Sequence, residues 1–92
     1  MQLNLYATFR LIANQKHIWI DLPAGTTVLQ AMSAACQQVP ALQPHWFGAD
    51  GALHAHVHAI LNGRDVATLP LGWDTPLEAD AVLDIFPPVA GG

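Results

Sequence analysis

Ala81-Val82-Leu83-Asp84-Ile85-Phe86-Pro87-Pro88-Val89-Ala90-Gly91-Gly92 closes the sequence. Ala81 to Phe86 reads as a last strand. Pro87-Pro88 then stops any ladder, because proline has no N–H to donate. Gly91 and Gly92 bring backbone without side chains to the end. A strand that runs into two prolines and then two glycines presents a tail.

The strand needs partners, and the beginning of the chain offers two. Gln2 to Arg10 alternates: Leu3, Leu5, Ala7 and Phe9 on one face, Gln2, Asn4, Tyr6, Thr8 and Arg10 on the other. That is the period of a half-buried strand. Asn14-Gln15-Lys16 reads as a turn, and His17 to Leu22 alternates again, with Ile18, Ile20 and Leu22 inward, so the two segments predict a hairpin. Pro23-Ala24-Gly25 stops the second strand. Thr26 or Thr27 can cap a helix to about Gln38, with Val28, Leu29, Met32, Ala35, Cys36 and Val39 as its apolar stripe. Pro40 and Pro44 end it, and Ala41 to Gly51 is expected to be a loop pinned by Trp46 and Phe47.

Leu53 to Leu61 predicts a third strand, with His54, His56, His58 and Ile60 on the face away from the core. Asn62-Gly63 marks a turn. A short strand is expected around Asp65 to Thr68, and a capped helical turn at Asp74-Thr75-Pro76-Leu77, with Pro76 near its first position. The order strand, strand, helix, strand, short strand, strand places one main helix on one face of a mixed sheet of four to five strands. The first and last strands then lie side by side at the centre, an α+β, β-grasp arrangement. Residues 1–86 are expected to form the domain and residues 87–92 a flexible tail. The other sheet face carries Tyr6, Thr8, Trp19, the three histidines and Phe86.

Composition narrows the function classes. Half of the 92 residues are apolar (52%) and few are charged (11%), which is a globular balance. Only Arg10, Lys16 and Arg64 are basic, and the formal charge is −4, so a phosphate-backbone partner is disfavoured. No apolar run approaches ~20 residues, so no membrane span is expected. The lone Cys36 has no internal disulfide partner, and with no signal peptide apparent a cytoplasmic location is the expectation. His54, His56 and His58 are of a type that binds zinc or copper, but successive same-face side chains on a strand stand about 7 Å apart, and no second cysteine or carboxylate pair completes a site. No bound metal is expected. A metal-binding module built on these histidines remains the competing class. Cys36 reads as a packing residue on the helix stripe.

The ending Ile85-Phe86-Pro87-Pro88-Val89-Ala90-Gly91-Gly92 resembles the C-terminus of the MoaD/ThiS sulfur-carrier family, in particular the small subunit of molybdopterin synthase. Tyr6-Ala7-Thr8-Phe9-Arg10, Leu61-Asn62-Gly63-Arg64-Asp65-Val66 and Asp74-Thr75-Pro76-Leu77 extend the resemblance over nearly the whole chain. Asp80-Ala81-Val82-Leu83 departs from the family's Gly-Asp-Glu-Val-like turn.

The resemblance implies a ubiquitin-like fold and a carrier rather than an enzyme. An E1-like partner would use ATP and magnesium to adenylate the Gly92 carboxylate, and a donor such as a cysteine desulfurase or rhodanese would turn it into a thiocarboxylate. The large subunit of molybdopterin synthase, or another acceptor enzyme, would receive the sulfur. Pro87, Pro88, Val89, Ala90 and Gly91 would enter the partner's active site. Independently of the resemblance, the open sheet face is rich in aromatic and imidazole groups, and Tyr6, His54, His56, His58 and Phe86 on it are expected to dock on the activating enzyme. No cofactor is expected to stay bound. Related carriers serving thiamine, cysteine, tRNA thiolation or secondary metabolism, and protein modifiers, are the alternatives.

Overall fold

A computed structural model describes residues 1–88. Its five-stranded sheet has the order β2-β1-β5-β3-β4. The strands are β1 (Gln2–Leu5), β2 (His17–Trp19), β3 (His58–Leu61), β4 (Arg64–Asp65) and β5 (Val82–Phe86). β5 sits in the middle, parallel to β1 with Leu3 beside Leu83 and Leu5 beside Ile85, and antiparallel to β3 with Ala59 beside Ile85. This is the predicted β-grasp arrangement, with the first and last strands adjacent at the centre.

The helices are α1 (Ala7–Ala13), α2 (Val28–Gln38) and α3 (Gln43–Trp46). α2 begins where expected. The Thr27 hydroxyl accepts from Gln30 N at 3.2 Å, and the Gln30 side chain accepts from Thr27 N at 3.0 Å, a complete capping box. Its buried residues are Val28, Ala31, Met32, Ala35 and Cys36, while Leu29 and Val39 are only partly covered. They close over Leu3, Leu5, Ile18, Leu61, Leu83 and Ile85 from the sheet to form the core. Asn62 and Gly63 take φ 48 and 86, so the turn after β3 is left-handed at both positions, as Asn-Gly favours. None of the described helices is long and apolar enough to cross a membrane.

Several sequence expectations are corrected. The first strand stops at Leu5 rather than Arg10, because the chain reverses hand at Ala7 (φ 51) and enters α1. Phe9 is still buried, but it reaches the core from a helix, and Ala7 is exposed. β1 and β2 pair antiparallel, yet α1 lies between them, and β2 ends at Trp19. Pro40 and Pro44 do not lead into a plain loop. They start a 3₁₀ turn (Pro40–Leu42) and α3, where proline's missing N–H is not needed. Trp46 and Phe47 do anchor this segment, both buried. β4 is shorter than expected and passes into a 3₁₀ turn over Val66–Thr68. The predicted helical turn at 74–77 is instead a 3₁₀ turn over Gly72–Asp74. Pro76 follows in extended backbone and bridges to Thr27.

Candidate functional site

β5 brings the chain out at Phe86-Pro87-Pro88, and these three residues form one wall of an open groove of about 1020 Å³. The start of α1 (Ala7 to Phe9) forms a second wall. His45 of α3, His54, His56, His58 and Asp65 complete its rim. Val89, Ala90, Gly91 and Gly92, the tail named from the sequence, lie outside the described residues.

The three alternating histidines do not share one strand face. β3 starts only at His58, after a turn at Ala55-His56 in which Val57 N donates to His54 O at 3.2 Å. His54 is held by its own loop instead. Its backbone N donates to Trp46 O at 2.8 Å and its Nε2 donates to the Pro44 carbonyl at 3.1 Å. All three are exposed, and all three line the groove despite their different backbones. Among the described residues no three His, Cys, Asp or Glu side chains are placed to share a metal ion.

Tyr6 and Phe86 meet as neighbours. Their rings stack with centroids 4.3 Å apart and planes 12° apart. Tyr6 is the residue before α1, in extended conformation, so its ring swings across the end of β5. The hydroxyl donates to Asp84 Oδ1 at 3.2 Å. Burial, then the charge of Asp84 and the hydrogen bond to it, raise the Tyr6 pKa, opposed by Arg10. The phenol therefore stays neutral and keeps its proton for Asp84. Thr8, expected on the open sheet face, belongs to α1 and lines the groove. Trp19 does lie on a strand with two-thirds of its surface exposed (66%).

Cys36 is buried, and that burial pushes its thiol up to about 11, so it is a packing group with almost no thiolate at neutral pH. Sequence reading missed Ala7, His45 and Asp84 at this site. Only Asp84 left a signal, since aspartate is disfavoured inside a strand.

Residues 3–92 match the ThiS family model. The chain is 35% identical to small archaeal modifier protein 1 of Haloferax volcanii, over 92 residues that cover both chains in full. A crystal structure of SAMP1 from Haloferax volcanii superposes with a TM-score of 0.86 at 32% identity, covering 99% of this chain and 97% of that one. A structure described as putative molybdopterin converting factor, subunit 1, from Pyrococcus furiosus gives a TM-score of 0.73 at 26% identity, covering 96% and 95%.

Proposed function

Because the chain belongs to the ThiS family, within the ubiquitin-like modifiers and sulfur carriers, we propose that it is a sulfur carrier that works through the carboxylate of Gly92. The observation that carries this reading is that the family match runs to residue 92 and so includes Gly91-Gly92. An E1-like enzyme joins the carboxylate to the α-phosphate of ATP with magnesium and releases pyrophosphate. The terminal sulfur of a donor persulfide then displaces AMP to give an acyl disulfide, and a second thiol attacks the donor-side sulfur, forming a disulfide with the donor cysteine and releasing the thiocarboxylate. Glycine suits this step, because a side chain would collide in the narrow channel that must admit the tail. The thiocarboxylate is ionised and polarisable at neutral pH, which makes it a good nucleophile. ATP and magnesium belong to the partner. The acceptor we favour is the large subunit of molybdopterin synthase, and the Pyrococcus furiosus likeness supports it.

A second reading has its own support, since the Haloferax volcanii relative is named a modifier protein. The same adenylate, attacked by a lysine amine instead of sulfur, gives an isopeptide and releases AMP. Both endings need the tail. Deleting Gly92 should abolish thiocarboxylate and isopeptide formation alike. Retained transfer would refute the carrier reading. We place docking on Tyr6, His54, His56, His58 and Phe86. His56→Glu should then weaken the complex with the activating enzyme, and unchanged affinity would remove that face from the interface.

A further inference from the structure

The open face of the sheet carries a line of side-chain hydrogen bonds from Gln2 to the Tyr6 hydroxyl. Gln2 Nε2 donates to Asn4 Oδ1 at 2.6 Å, and Asn4 Nδ2 donates to Asp84 Oδ1 at 2.8 Å. The Tyr6 hydroxyl donates to that same Oδ1 at 3.2 Å. Asp84 sits mid-β5, beside Asn4 of β1 and Ile60 of β3. A carboxylate only accepts, so it draws donors toward itself. Here it draws one from β1 and one from Tyr6, the residue before α1. Aspartate breaks the local preference of a central strand, and such breaks are expected where a site gains from them.

Tyr6 passes this hold on. Its ring lies flat against Phe86, the last residue of β5. Arg10 stands over the Tyr6 ring, 5.6 Å from its centroid, and its Nε donates to Leu5 O at 3.2 Å. Phe86 is followed directly by Pro87, whose φ is fixed by its own ring. Whatever holds Phe86 therefore sets the heading at which the chain leaves the sheet.

We propose that Asp84 is a positioning residue for the tail: by holding the Tyr6 hydroxyl it keeps the Tyr6 ring on Phe86 and so aims Pro87-Pro88. Its consequence for sulfur loading rests on the carrier reading, while its geometry does not. Asp84 does not line the groove.

Asp84→Ala, Tyr6→Phe and the double variant test this in two arms. In the carrier alone, NMR should show fewer Tyr6–Phe86 ring contacts and a smaller ring-current shift of Phe86 in each variant. Unchanged ring contacts in Asp84→Ala would overturn the brace, whatever the protein's function. In steady-state loading by the activating enzyme, each single variant should lower kcat about five- to tenfold, the net worth of one hydrogen bond, and Asp84→Ala, which lies outside the docking face, should keep KM within about twofold. The double variant should be no worse than either single, because both remove the same link. A change confined to KM in Asp84→Ala, or multiplying effects in the double, would overturn the positioning role. Failure of the unaltered protein to load would refute the carrier reading instead, and the NMR arm would still decide the brace.

Discussion

Replacing Ala7 with glycine should leave the fold as stable as before or slightly more so. Ala7 is exposed and takes φ 51 at the point where β1 gives way to α1. A residue with a Cβ in that left-handed region is strained by about 1–2 kcal/mol, which glycine relieves. Glycine's extra freedom in the unfolded chain takes back about 0.5–1 kcal/mol. Little buried surface changes, so the balance is roughly 0.5 kcal/mol in favour of the variant, or a Tm rise of about 2–4 °C for a domain this size. Were Ala7 an ordinary helical residue, the same change would cost about 1 kcal/mol and lower Tm by about 4–8 °C. Ala34, in the middle of α2, supplies that ordinary case. Thermal unfolding followed by circular dichroism should therefore move in opposite directions for Ala7→Gly and Ala34→Gly. A fall of several degrees in both would refute the reversal of hand at Ala7, and with it the placement of Tyr6 over Phe86.

Cys36 supplies a pH prediction. Its thiol is raised from an ordinary value of 9.0 to about 11, so the unfolded chain loses its proton first. The stability it contributes is intact below pH 9 and is lost as pH rises toward 11, at up to about 1.4 kcal/mol per pH unit. Urea denaturation across that range should show the decline, and Cys36→Ala should lack the cysteine's share; identical slopes would contradict the burial argument. Ile85 is fully buried between Leu5 and Ala59 on the central strand. Ile85→Ala should remove about 2–5 kcal/mol, and a loss under about 1 kcal/mol in urea denaturation would contradict its place in the core.

The parts of the fold that were legible in the sequence are those with a complete local signal. α2 has its capping residues, Thr27 and Gln30, and an apolar stripe. The Asn62-Gly63 turn has the residue pair that a left-handed turn demands. β5 ends at two prolines. The misread parts are those where one pattern has two causes. Phe9 continues the alternation of Leu3 and Leu5 because it too is buried, but a helix delivers it, and nothing in the residue types at Ala7 announces a positive φ. The histidines continue the alternation of β3 toward Leu53, while the chain turns at Ala55-His56. Their common position at the groove arises from tertiary packing that no spacing records. The tail motif is a matter of residue types alone, and the family match extends through it. The brace at Asp84 was not legible, because it needs residues 78 and 80 positions apart to meet.

On the reading proposed above, Gly92 carries sulfur. Intact-mass spectrometry after incubation with ATP, magnesium, a sulfur donor and the cognate activating enzyme measures it directly. The expected result is a gain of about 16 Da at Gly92, one oxygen replaced by sulfur, which converts the carboxylate into a polarisable nucleophile. An unchanged mass with an enzyme shown to be competent would contradict it.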